Sequence, residues 1–186
     1  MKSTADYFHA FVAAAESYVV RPEITIDTVP APQKLAPLAF AMTGDVALDD
    51  RDDIATGRFV LLCDPDGQEA WDGEFRCVTF VRAAIEDDLQ SDPLLPDVGW
   101  SWVNEALKEN NAEFRAPSGT VTRVSSASFG QMSSSENSSE IEIRASWTPV
   151  DPAQLLSHLA AWASLLQISS GLTPLPDGVA PLHQRR

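Results

Sequence analysis

The chain is poor in the residues that most often assemble a recognisable site. It holds two cysteines, Cys63 and Cys77, each inside an apolar run and neither with a histidine close by or the paired spacing of a zinc site. They can face each other across a hairpin, but two reduced core thiols in a cytosolic protein are the simpler expectation. The three histidines, His9, His158 and His183, lie far apart, and no Gly-x-Ser-x-Gly elbow is present. Glycine is sparse, and Gly44, Gly57, Gly67 and Gly73 are spaced as turn residues rather than as a phosphate-cradling loop. Positive charge is scarce too: 13 Lys and Arg against 27 Asp and Glu give a formal charge of -14. The cations are scattered singly except Arg185-Arg186, so the mean field repels phosphate polyanions and anionic lipid and no basic footprint for nucleic acid emerges. No apolar run approaches the about 20 residues that cross a bilayer. Phe8 to Ala15 is short, is broken by His9 and follows an Asp6 that cancels Lys2, so it reads as a helix of the mature protein and not a leader. The expected location is the cytoplasm.

What the chain does have is strong patterning. Ile141, Ile143, Ala145 and Trp147 alternate with Glu140, Glu142, Arg144 and Ser146, a two-residue period that predicts a half-buried strand. Asp151-Pro152-Ala153-Gln154 then supplies an N-cap, a proline at the first helical position and a capping-box glutamine. The helix that follows runs from Pro152 to about Ser170, with Leu155, Leu159, Trp162 and Leu166 as its stripe and Gly171 as its C-cap. At the other end Ser3 and Asp6 form a capping box for a helix with Phe8, Phe11, Val12, Ala15 and Val19 along one face, stopped by Pro22. Ile24-Thr25-Ile26 has the branching of a short strand, and the segment 29–37 is too proline-dense for helix or central strand and predicts an extended surface strap. Leu38 to Val46 reads as a strand. Arg58-Phe59-Val60-Leu61-Leu62-Cys63 is apolar at consecutive positions, as suits a strand covered on both faces. Asp64-Pro65-Asp66-Gly67 predicts the turn that returns the chain through a partner strand, Glu74 to Val81. Asp97 is the expected cap of a helix sharing Trp100, Val103 and Leu107 on one face, with Trp102 pointing the other way. Phe114 to Val124 and Glu140 to Trp147 form a second strand pair, joined by a polar serine-rich connection over about 125–139 that is expected to be mobile. A proline-rich, flexible tail is expected from about 174.

The predicted order is helix, three strands, helix, two strands, helix: one α+β domain over 1–186, with an antiparallel sheet of about five strands and three helices packed on it. In outline this layout resembles that of the small acidic chaperones of type III secretion.

Function is less legible. Asp45, Asp49, Asp50, Asp52 and Asp53 crowd one connection, yet the spacing, glycine and distal glutamate of a calcium loop are absent, so a solvated acidic loop is expected and neither a metal nor a cofactor is assigned. Glu69, Asp72 and Glu74 meeting Arg76 or Arg144 in a cleft would suit a small hydrolase or nucleotide-handling enzyme, the alternative reading. No catalytic residue is nominated. Two features point instead to binding. Trp71, Trp100 and Trp102 include large indoles in polar or off-stripe positions, of the kind enriched as interface anchors. Arg76 and Arg82 share one face of their strand, and Arg144 lies with Glu142 on the outward face of another, an Arg/Glu ladder or an open sheet face for dimerisation or client binding.

Several segments together carry a family likeness: Pro30-Ala31-Pro32-Gln33-Lys34-Leu35-Ala36-Pro37, Ala55 to Leu62, Gly67-Gln68-Glu69-Ala70-Trp71, Asp92 to Trp102 and Glu142 to Pro149. They resemble the actinobacterial family called domain of unknown function 3000, and the likeness covers most of the chain, departing at Ser133 to Ser139. The resemblance implies no activity and no catalytic residue. It implies RNA-processing company, since members are often encoded beside a ribonuclease D-like exonuclease. The combined expectation is a non-enzymatic acidic interaction domain, adaptor or chaperone-like, whose partner is another protein or a second copy of itself.

Overall fold

The computed structural model describes residues 2–48, 51–134 and 137–174, the side chains of 51–53 excepted. Four α-helices, α1 (Thr4–Glu16), α2 (Asp87–Gln90), α3 (Leu95–Glu109) and α4 (Leu155–Ser169), accompany six strands: β1 (Ile24–Val29), β2 (Leu38–Leu48), β3 (Arg51–Gln68), β4 (Gly73–Ala84), β5 (Phe114–Ser126) and β6 (Ser138–Pro149). The strands form one open antiparallel sheet in the order β1-β2-β3-β4-β6-β5. The α+β class is as the patterning predicts. The strand count is six rather than about five, because Ile24–Val29 pairs along β2 as a full edge strand, and four strands precede the central helix instead of three.

Local signals account for the element ends that came out as expected. Ser3 and Asp6 make the reciprocal capping box of α1, Asp151 accepts from the Ala153 amide at 2.8 Å ahead of α4, and Gly171 takes φ 70° after it. Four boundaries depart from expectation. First, α1 ends at Glu16, well before Pro22, which leaves Val19 exposed. Secondly, Asp64–Gly67 does not reverse the chain: β3 runs on to Gln68 through a register shift, and the reversal is the short turn Glu69–Trp71 with Asp72 at φ 55°. Thirdly, α3 begins at Leu95 with Pro96 in its first turn, so Asp97 lies inside the helix and favours its positive N-terminus rather than capping it. Lastly, strand pairing extends into the serine-rich connection, Ser125 opposite Ser139 and Ser126 opposite Ser138, and the Ser139 hydroxyl lies 2.9 Å from both the Asp87 carboxylate and the Gln90 side-chain amide. The proline-rich tail beyond 174 and Asp49-Asp50 lie outside the described residues.

All the long helices pack on one face of the sheet. There Phe40, Met42, Phe59, Leu61, Phe75, Val81, Ile141, Ile143 and Trp147 meet Phe8 and Phe11 of α1, Val103 and Leu107 of α3, and Leu155, Leu159, Trp162 and Leu166 of α4. The expected α4 stripe is buried throughout. Its seat is a cross-strand glycine pair, Gly44 opposite Gly57. A Cβ on either would come within 2.8 Å of a Leu166 methyl, and the Trp162 ring lies against both positions. Cys63 and Cys77 are both unpaired and buried on this inner face. Val60 and Leu62, on the opposite face of β3, are covered by Val29, Ala31 and Ala36 of the strap and by Trp71, so the consecutive apolar run is buried on both sides as its composition requires.

Candidate functional site

Beyond Val60 and Leu62 the outer face of the sheet has no helix over it among the described residues. Pairing places Ala41, Val60, Val78, Ser146 and Ser118 in one cross-strand row, and Thr43, Arg58, Phe80, Arg144 and Thr120 in the next. Val60, Val78 and Phe80 form the floor of a shallow groove of about 340 Å³ edged by Arg58, Arg144, Ser118, Thr120 and Ser146. Val78 is 37% exposed, which a valine in the middle of a six-stranded sheet is only when nothing covers it. The Arg144 guanidinium carbon lies 5.4 Å from the Phe80 ring centroid, a cation–π contact. On the other side Arg58 ties the strap down by donating to the Pro30 carbonyl at 3.1 Å.

Arg76 stands one row above. Its residue is only 7% exposed, yet every partner is neutral: Nη1 donates to Ala116 O at 2.8 Å and Thr148 Oγ1 at 3.1 Å, and Nη2 to Ser118 Oγ at 3.1 Å and Ser146 Oγ at 2.8 Å. Burial pulls the guanidinium below its usual pKa range. The Ala116 carbonyl reaches Arg76 through a bulge between Arg115 and Ser118 in which Ala116 itself takes φ 49°, a left-handed conformation that costs energy for a residue with a Cβ. Arg82 and Arg144 do find acids, Glu140 and Glu142 respectively, so the predicted Arg/Glu ladder is real for those two. Arg76 stands outside that ladder.

Residues 4–180 match the family described as a protein of unknown function, DUF3000. The chain belongs to it. No curated protein and no solved structure matches the chain.

In this DUF3000 chain the tryptophans nominated with the arginines do not gather around them. Trp71 caps the strap end of the outer face, half-buried against Ala41, Val60 and Leu62, and its carbonyl accepts from Thr148. Trp100 is spent on the helical side, where its ring closes on Gly119: a Cβ there would lie 2.7 Å from Trp100 Cζ3. Trp102 also packs against the inner core and lines a recess with Ile54, Ile85, Leu89, Ile168 and Leu172. The carboxylate cleft proposed for an enzyme does not assemble either. Glu74 accepts from Thr4 Oγ1 of α1 at 2.9 Å, Asp72 pairs with Arg115 at 3.2 Å, and neither is bonded to Arg76 or Arg144. Asp45 accepts from Thr56 across the strand pair at 2.8 Å, and among the described residues no three His, Cys, Asp or Glu are grouped to hold a metal.

Other titratable groups are locked in the interior. His158 is fully buried, accepts from Trp147 Nε1 through Nδ1 at 2.9 Å, and burial draws its pKa down to about 4. Burial pushes both thiols up, Cys63 to about 11, away from the thiolate a nucleophile needs. Val78, Phe80, Ser118 and Ser146 escaped the sequence reading, yet a signal existed: the alternation that sets Arg76 and Arg82 on one face of β4 puts Val78 and Phe80 between them.

Proposed function

We propose that this DUF3000 domain is a polypeptide-binding module that receives a segment of another protein on its outer sheet face. The observation that carries this reading is an apolar floor in which Val78 is exposed and Phe80 half-exposed beside the strap-covered Val60, held between two arginines on a chain whose net charge is -14. A sheet whose opposite face is fully packed does not need these side chains for its own core. An apolar floor with charged rims is the form of a surface that excludes water at its centre and orients a partner at its edge. Arg144 over Phe80 sets a planar cation on an aromatic ring, and arginine is among the residues most enriched where truncation weakens binding. The ribonuclease D-like exonuclease encoded near members of the family is the first partner to test.

A photo-crosslinking residue placed at position 78 in the native host, with controls at Val19 and Leu156, tests the reading. One dominant crosslinked polypeptide at 78, absent at both controls and lost with Phe80→Asp, is the expected result. Equal labelling at all three positions would refute it, and Trp102→Ala in parallel asks whether the α3 side is the binding surface instead.

A further inference from the structure

Arg76 is a desolvated cation surrounded by dipoles, and the hydrogen-bond inventory around it is incomplete in a specific way. Its four neutral acceptors use up the guanidinium's outer N–H groups. Thr148, one of those acceptors, spends its own hydroxyl proton on the Trp71 carbonyl. Ser118 and Ser146 are different. Both oxygens accept from Arg76 Nη2, they lie 3.1 Å from each other, and both line the groove. Two hydroxyl protons are available there, and their mutual contact uses one at most, so at least one is left without an acceptor among the described residues. Burying a cation without a counter-charge is costly, and here the strained Ala116 carbonyl is turned inward to offset part of that cost. Arg144, one row below the serines, exposed and 3.3 Å from the Glu142 carboxylate, adds a second cation beside them.

We infer that the Ser118/Ser146 pair, backed by Arg76, is a carboxylate site: the partner segment lays an apolar side chain over Val78 and Phe80 and sets an Asp or Glu side chain on the two hydroxyls. The inference rests on the binding role proposed above and names the chemistry of its partner. A carboxylate supplies what the site lacks, two acceptor oxygens for the serine hydroxyls and a negative charge one layer above a buried guanidinium, where hydrogen bonds to an ionised acceptor are stronger than neutral ones. The neighbouring Val78 row fixes the order, because Val78, Ser146 and Ser118 stand side by side across β4, β6 and β5. An acidic residue therefore sits one strand spacing to the side of the apolar anchor.

Selection of a displayed random peptide library on the purified full chain tests both levels at once. Peptides enriched on the wild type are expected to combine a large apolar residue with a nearby Asp or Glu, and replacing that acid by its amide weakens binding about tenfold, as loss of a charge-assisted hydrogen-bonded contact does. The Ser118→Ala/Ser146→Ala double variant, which also removes two of the four acceptors of Arg76, binds the acidic peptide no more tightly than its amide, and either single variant, which leaves Arg76 three acceptors, narrows the same preference. Arg76→Met shows the same loss if it folds, and the serine variant decides the matter if it does not. Enrichment of apolar peptides with no acidic preference, or an unchanged preference in the serine variant, overturns the carboxylate site while leaving the binding face standing. Failure to enrich any peptide that Phe80→Asp abolishes overturns both. Competition by inorganic phosphate stronger than by acetate at equal ionic strength overturns the carboxylate in favour of a phosphorylated partner.

Discussion

Trp162→Ala is the substitution that most directly probes how α4 is seated. The indole is completely buried, and its floor is the backbone of Gly44 and Gly57, two glycines opposite each other in central strands. Such a floor cannot rise to fill a void, because moving it would break the ladders of β2, β3 and β4 together. The cavity therefore persists, and the loss is expected at about 3 to 5 kcal/mol, the range for aromatic truncation in a core that does not collapse. The indole Nε1 is itself buried without a hydrogen-bond partner among the described residues. Trp162→Phe removes that orphan donor, whose burial costs about 1 to 3 kcal/mol, so the phenylalanine variant should lose less than half of what alanine loses. Urea unfolding followed by circular dichroism measures both. With a slope of about 2 kcal/mol per molar, a 4 kcal/mol loss lowers the midpoint by about 2 M. An alanine loss under about 1 kcal/mol would mean that the helix is not seated on the glycine pair, and a phenylalanine loss equal to alanine's would mean that the N–H is not an orphan.

Four further outcomes follow from particular residues. His158 titrates at about 4 in the fold against 6.5 in the open chain, so between those values the unfolded state holds the extra proton and stability falls with falling pH by about 1.4 kcal/mol per pH unit, levelling off below the lower value. Unfolding free energies at pH 7 and 4.5 should therefore differ by less in His158→Gln than in the wild type, and identical differences would contradict a neutral buried imidazole. Gly57→Ala places a methyl 2.9 Å from the Phe80 carbonyl and 2.8 Å from Leu166 and is expected to cost about 1 to 3 kcal/mol by overpacking, read as a lowered urea midpoint. Ser139→Ala, which loses its contacts to Asp87 and Gln90, should cost about 1 kcal/mol, whereas removing Gly130 to Ser134 from the same connection should change thermal stability little, since closure entropy depends weakly on loop length.

Alternation and capping were readable because they are local. The β6 period sets Ile141, Ile143, Ala145 and Trp147 inward whatever the sheet's neighbours are, and Ser3, Asp151 and Gly171 act on backbone groups within a turn of themselves. The apolar run Phe59 to Cys63 announced burial on both faces, and the strap that covers its outer side was itself visible in its prolines. The edge strand β1 was readable only as Ile24-Thr25-Ile26, since its last residues, Asp27 to Val29, are defined by pairing with Thr43 to Ala41.

The sequence by itself thus determined the α+β class, the inner stripes of the helices and the acidic, cation-poor character of the chain. Only the tertiary structure decided which of the two faces of each strand would be left open, because that depends on where the helices land, and all of them land on one side. It also separated residues of like chemistry. Arg82 received a glutamate from the neighbouring strand β6 and Arg144 one from its own strand, while Arg76, on the same face of β4 as Arg82, was surrounded by a bulged carbonyl and three hydroxyls. Trp100 and Trp102 went to the helical side, and Val78 and Phe80, which look like core residues in the sequence, became the floor of the outer groove, Val78 exposed and Phe80 half-buried under Arg144. A side chain's partners across a sheet come from strands tens of residues away, and no local period carries that information.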